Sequence, residues 1–259
     1  MSGPRSVRMI LVAIIALGTV GMTGDLASGA RAPIGEPADR PASRSAVGDG
    51  QGDAWAKAHR RYVVRARRSD ADVVFLGDSI THAWGDEDRD DLGHESWRAL
   101  FTPLRSANFG FPGDQTQHLL RRVEDGELDG HPRVAVVLIG TNNLGDGHSA
   151  EETASGIAAV VDAIRRSSSS TRVLVVGILP RRSGPGDLPG PESARVNAIV
   201  GGWAVEAEVE FLDVGASFLR PDGRLDYALT RDGIHPSAKG YAILARALRE
   251  PVRRLLRGG

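Results

Sequence analysis

At 259 residues, with 32 basic against 33 acidic side chains and a formal net charge of −1, the chain gives no global reason to bind a polyanion. Its length and ordinary balance of apolar and charged residues suit one large domain with a sizeable core. No cysteine occurs, which excludes disulfides, a thiolate nucleophile and the cysteine of a lipoprotein anchor.

Arg5 and Arg8 precede an apolar run from Met9 to Met22, and Ala30-Arg31-Ala32 places small residues where a signal peptidase cuts. Residues 1–32 therefore read as a secretory signal peptide, and the protein is expected to be secreted or held in the cell envelope. The run is short for a spanning helix; an uncleaved N-terminal anchor is the alternative. Residues 33–53, rich in Pro, Gly, Ala, Ser and Asp without periodicity, read as a flexible linker. Residues 54–259 form the domain.

Trp55, Ala58, Tyr62 and Ala66 share one face of a basic helix over Ala54 to Arg68. A strand buried on both faces follows at Asp72 to Leu76 and runs into Gly77-Asp78-Ser79-Ile80-Thr81. The acidic patch Asp86 to Asp91 invites comparison with a calcium loop. That template needs glycine at its sixth place and glutamate at its twelfth, where Asp91 and Trp97 stand, so a solvated loop is the reading. A short helix spans Glu95 to Phe101 and a short strand Arg105 to Phe109. The strand leads into Gly110-Phe111-Pro112-Gly113-Asp114 and a helix to about Val123. Val134 to Ile139 is a further buried strand, ending in Gly140-Thr141-Asn142-Asn143. An amphipathic helix spans Ala150 to Arg166, with Glu151 and Glu152 in its first turn. A strand at Arg172 to Leu179, the Pro/Gly-rich loop Pro180 to Pro191, a helix at Glu192 to Glu206 and a strand at Glu210 to Val214 follow. After Thr230-Arg231-Asp232-Gly233-Ile234-His235-Pro236 a closing helix runs from Ser237 to about Leu248, where Pro251 disturbs any continuation. Five strands alternating with helices predict one α/β domain, a three-layer α/β/α sandwich around a five-stranded parallel sheet.

In such sheets ligands sit beyond the carboxyl ends of the strands. Ser79 follows the first strand, Gly110 the second and Asn142 the third, while Asp232 and His235 lie on the loop before the last helix. Ester hydrolysis by a nucleophile needs a hydroxyl, a base, a carboxylate to orient that base, and donors for the developing oxyanion. These residue types are all present at one expected edge.

The blocks Gly77-Asp78-Ser79-Ile80, Asn108-Phe109-Gly110, Gly140-Thr141-Asn142-Asn143 and Asp232-Gly233-Ile234-His235-Pro236 resemble, in order, the four signature blocks of the SGNH hydrolase superfamily, also called GDSL-type esterases. The fold implied is flavodoxin-like. Gly110 through Asn143 is most similar to the branch of the platelet-activating-factor acetylhydrolase catalytic subunits. The resemblance implies Ser79 as nucleophile, His235 as general base and Asp232 as the carboxylate that sets its tautomer. It further implies an oxyanion hole of the Ser79 N–H, the Gly110 N–H and the Asn142 amide; an absent Cβ at Gly110 would let substrate oxygen approach the main chain. Ile80 replaces the leucine of the family nickname, Asn143 stands where many relatives carry aspartate, and Phe111-Pro112 narrows a place where small residues are common.

Set against these are simpler readings: Ser79 as a helix cap, Asn142 as a turn residue, Asp232 and His235 as a surface turn. Asp78 and Asp114 read as turn-stabilising acceptors, and His82 is a rival base with poor geometry. His59, His94, His118, His131 and His148 lack metal spacing. Trp84, Trp97, Phe101 and Phe111 read as core or wall. No Walker sequence, dinucleotide fingerprint or G-x-S-x-G elbow is present, so no cofactor, metal or nucleic-acid partner is expected. The expectation is an exported serine esterase acting on short acyl, chiefly acetyl, esters or acylated carbohydrate. A lysophospholipase or lipase-like hydrolase, or a non-catalytic binding protein on the same fold, is the alternative. Oligomeric state is not legible.

Overall fold

The structure is a computed structural model that describes residues 36–44, 51–85, 93–182 and 188–258. The signal segment, the acidic patch at 86–91 and the centre of the Pro/Gly-rich loop lie outside the described residues.

Five parallel strands, β1 (Val73–Gly77), β2 (Ser106–Gly110), β3 (Val134–Leu138), β4 (Arg172–Val176) and β5 (Glu210–Leu212), stand in the order β2-β1-β3-β4-β5. This is the three-layer sandwich that the strand pattern predicts. Successive side chains of a strand point to opposite faces, and the core divides accordingly. Val74, Leu76, Ala135 and Val137 pack with Tyr62, Leu119, Ile157 and Val196. These come from α1 (Gln51–Arg68), α4 (Thr116–Arg122), α6 (Ala150–Ser167) and α7 (Pro191–Glu206). Val73, Phe75, Val134 and Val136 face the other way, toward Trp97 and Phe101 at α3 (His94–Leu100) and Tyr241, Leu244 and Leu248 of α8 (Ala238–Arg257). Phe75, Trp84, Trp97 and Phe101 meet edge to face or tilted, with Phe75–Trp97 centroids 4.8 Å apart. The four rings are core.

Two expectations are overturned. Glu36 to Arg44, read as flexible linker, lies docked against α4 and α6. Thr116 Oγ1 donates to Ala38 O at 2.8 Å, the Ala42 N–H donates to Gln117 O at 3.1 Å, and Ala38 is buried. Its order comes from hydrogen bonds to partners distant in sequence, which no local periodicity reports. α1 also starts earlier, at Gln51. The second correction concerns Pro251, which sits inside α8 without ending it. A proline in a helix interior costs about 3 kcal/mol. Here Leu248 and Val252 are both fully buried, continuing the apolar stripe past it. Tertiary burial outweighs local propensity. β4 ends at Val176 because the Ile178 N–H leaves the ladder for Asn197 Oδ1, 2.8 Å away.

Gly156 on α6 lets the strap approach, since a Cβ there would collide with Thr116 Oγ1 and stand 2.6 Å from Ala38 O. Gly156→Ala is expected to loosen the strap and hasten tryptic cleavage after Arg44, followed by mass spectrometry. Unchanged digestion would show that this contact does not hold it.

Candidate active site

The nucleophile turn is built by close packing at the end of β1. A Cβ on Gly77 would strike Leu138 O and Thr81 Oγ1, so only glycine lets the chain turn here. Asp78 then caps the short helix α2 (Ser79–His82), its carboxylate accepting from the Ile80 N–H at 2.9 Å. Tyr241 of α8 donates its hydroxyl to Ile80 O at 2.8 Å, tying the last helix to this turn. The Ser79 N–H lies in the first turn of α2, where helix donors lack intrahelical acceptors.

Ser79 Oγ lies 2.9 Å from His235 Nε2, and His235 Nδ1 lies 2.7 Å from Asp232 Oδ2. Asp232 Oδ1 accepts from the Ile234 and His235 N–H groups at 3.0 and 2.8 Å, which fixes the carboxylate plane. A carboxylate only accepts, so the proton on the ring belongs to Nδ1 and Nε2 is left to accept from the serine hydroxyl. Partial burial pushes the Asp232 carboxyl upward, but the hydrogen bonds from His235 and Ile234 prevail and hold it below the usual carboxylate range. The structure thus brings Ser79, His235 and Asp232 into one relay.

Of the expected oxyanion donors, the Asn142 amide, on the short helix α5 (Thr141–Gly145), is at the edge, donating to Asp114 O at 2.8 Å, and among the described residues nothing accepts its second N–H. Gly110 is a different matter. Its N–H already donates to Asn108 Oδ1 at 2.9 Å, and a Cβ on it would collide with the His82 backbone N. The missing side chain at 110 therefore makes room for α2, not for substrate, and the Gly110 N–H is not a free donor. Gly113, three residues on, is the glycine that the sequence reading missed. Phe111 to Asp114 forms a type II turn with Pro112 second and Gly113 third, at φ 78°, closed by the Asp114 N–H to Phe111 O at 3.2 Å. Among the described residues nothing accepts the Gly113 N–H. The Pro-Gly pair was the available signal.

His82, the rival base, turns its Nδ1 to Gly110 O at 3.0 Å. Asn143 accepts from the Thr116 N–H at 2.9 Å and donates to Thr116 Oγ1 at 3.0 Å, a pairing an aspartate could not complete. Asp114, expected only to steady a turn, is buried in an ion pair with Arg122 at 2.8 Å and accepts from Trp55 Nε1 at 3.0 Å. His118 is half-buried and pushed down to about 4, first by desolvation and further by Arg44 and Arg122, so it is neutral near pH 7. Among the described residues no group of three or more His, Cys, Asp or Glu could hold a metal ion.

The GDSL-like lipase/acylhydrolase family model matches residues 75–243. The chain belongs to this family. It is 39% identical over 224 residues to the platelet-activating factor acetylhydrolase IB subunit alpha1 of Bos taurus, covering 84% of this chain and 91% of that one. The fold matches a GDSL-like lipase of Bacteroides thetaiotaomicron, with a TM-score of 0.63 at 18% identity over 76% of this chain and 97% of that one. It also matches an acetyl-xylooligosaccharide esterase from Geobacillus, with a TM-score of 0.55 at 22% identity over 72% and 94%. As a GDSL-type acylhydrolase, the protein is a carboxylic ester hydrolase.

Asp78, beside the nucleophile, has its carboxyl pushed up to about 7, first by desolvation and further by Asp114. A group raised in the folded state stabilises the fold fully at acid pH and loses that contribution as pH rises through its folded value. Asp78→Asn keeps the acceptor for Ile80 without the buried charge. Its stability relative to wild type should therefore improve by about 2–4 kcal/mol between pH 4 and pH 8 in denaturant titrations. A pH-independent difference would refute the raised carboxyl.

Proposed function

We propose that this protein is an exported serine esterase that removes short acyl groups, chiefly acetyl, through an acyl-enzyme on Ser79. The observation that carries the reading is the continuous relay Ser79 Oγ–His235–Asp232, with contacts of 2.9 and 2.7 Å. In the reaction, Ser79 Oγ attacks the ester carbonyl while His235 Nε2 takes its proton. Asp232 holds the resulting imidazolium. The tetrahedral oxyanion accepts from the Ser79 N–H, the Asn142 amide and the Gly113 N–H. Its collapse expels the alkoxide, which leaves with the proton from His235. Water then repeats the attack on the acyl-enzyme with His235 again as base, releasing the carboxylic acid and restoring Ser79.

Acetyl is favoured by the activity named for the bovine relative. Carbohydrate-borne acetyl esters fit an exported enzyme; lysophospholipid-type esters are the second choice. Export rests on the basic start, apolar run and Ala30-Arg31-Ala32 of the sequence. Among the described residues no helix is long and apolar enough to cross a membrane.

Hydrolysis of p-nitrophenyl acetate, butyrate and octanoate tests the reading. Turnover should fall with chain length and vanish in Ser79→Ala; turnover retained in that variant would sink the acyl-enzyme. Asn142→Ala should lower kcat about 10²–10³-fold, and wild-type kcat would remove it from the oxyanion site. Because His235 must be unprotonated to act as base, kcat/KM should rise from acid toward neutral pH along a single protonation step. A flat profile from about pH 5 to 8 would exclude His235 as base.

A further inference from the structure

The turn that offers the Gly113 N–H is gripped by the strap that precedes α1. Thr116 Oγ1 and the Ala42 N–H dock Glu36 to Arg44 on α4, which delivers Arg44 to this turn. Arg44 is half-buried. Its Nη1 donates to Pro112 O at 2.6 Å, and its guanidinium lies over the Phe111 ring, 5.8 Å from the centroid. Nη1 and Nη2 stand 2.8 and 3.0 Å from where a Cβ on Gly113 would begin. One guanidinium therefore borders three successive residues of the turn.

The carbonyl that Arg44 holds and the N–H offered to the oxyanion belong to one peptide unit. The Pro112–Gly113 bond is trans, so its C=O and N–H point in opposite directions. Whatever fixes the carbonyl also aims the N–H. The third residue of a type II turn takes φ of about +80°, and that of a type I turn about −90°. Between the two the central peptide flips and its N–H reverses. Glycine accepts either sign of φ, and proline at the second place suits both turns. The choice at Phe111-Pro112-Gly113-Asp114 therefore falls to contacts from outside the turn. Gly113 stands at φ 78°, the type II state, and a flip would swing Pro112 O away from the guanidinium. Donation into the carbonyl also polarises the peptide and strengthens its N–H as a donor. An exposed arginine usually contributes little; this one is half-buried against the one peptide whose direction matters.

We propose that Arg44 is a positioning residue for the oxyanion site, holding the Pro112–Gly113 peptide in the type II state that presents the Gly113 N–H to the developing oxyanion. The strap, with the composition of a linker, is then a working part of the active site. This deepens the esterase reading and rests on it for the reaction alone. The state of the turn does not require turnover.

Arg44→Met keeps the apolar stem and removes the donor, while Arg44→Lys keeps a charged donor. In the full chain acting on p-nitrophenyl acetate, Arg44→Met should lower kcat about 10–100-fold, the reach of one charge-assisted hydrogen bond, with KM changed less than about twofold. Arg44→Lys should recover part of that loss. The thiono analogue, with sulfur in place of the carbonyl oxygen, separates loss of aim from general weakening, because sulfur accepts hydrogen bonds poorly. Its rate should fall several-fold less than that of the oxygen ester. Equal loss on both esters, or none, overturns the proposal. An NMR measurement reads the turn without catalysis. The Pro112 Hα and the Gly113 amide proton face each other in a type II turn and separate in type I, so the NOE between them reports the flip. It should be strong in wild type and weaken in Arg44→Met, with the rest of the amide spectrum certifying the fold. An NOE of unchanged strength overturns the proposal. If wild type hydrolyses no ester while the NOE still depends on Arg44, the acyl-enzyme reading falls and the control of the turn stands.

Discussion

The geometry at the sheet edge depends on one buried cation. Arg122 is fully buried, with Asp114 at 2.8 Å and Glu127 at 2.5 Å, and it donates to Phe109 O at 2.8 Å and Gly77 O at 3.2 Å. Those two carbonyls belong to the ends of β1 and β2, so a single guanidinium holds the nucleophile turn against the neighbouring strand. Loss of the cation would leave two buried carboxylates uncompensated, a change costing about 3–5 kcal/mol. The arrangement extends outward through His59, which donates from Nδ1 to Glu127 at 2.8 Å, and through Trp55, bound to Asp114. Both lie on α1, which is thereby locked to the site through polar contacts as well as through Tyr62 in the core.

The same network explains why two glycines so close in sequence do different things. Gly110 ends a strand whose edge is already occupied by the α2 backbone, Asn108 and the Tyr62 hydroxyl, the last at 2.8 Å from its carbonyl. Gly113 sits on a turn that projects past this packing, between Arg44 and the Asp114 carbonyl held by Asn142. Packing consumes one backbone donor and leaves the other.

Periodicity made the sheet legible because β1 and β3 are buried on both faces and consist of little but Val, Leu, Phe and Ala. Ser79, Asp232 and His235 were legible because their types and order match a known pattern. Three things were not. The strap at Glu36 to Arg44 has the composition of a linker and acquires order only from α4 and α6. Pro251 reads as a stop, and the burial of Val252 is a tertiary fact. The choice between Gly110 and Gly113 turned on which N–H the side chain of Asn108 had already taken, and the spacing of glycines carries no such information. Arg122 was passed over for a similar reason: a lone arginine in a helix reads as surface until the carboxylates converging on it are seen.

The relay joins side chains 156 positions apart, the serine after the first strand and the histidine just before the last helix. α8 then closes back on the nucleophile turn through Tyr241. The serine and histidine therefore meet only once the segment before α8 has folded back onto the end of β1. The contact between serine and histidine is thus a property of the folded domain as a whole, and a lesion that frees α8 removes the hydrogen bond that steadies the turn carrying Ser79.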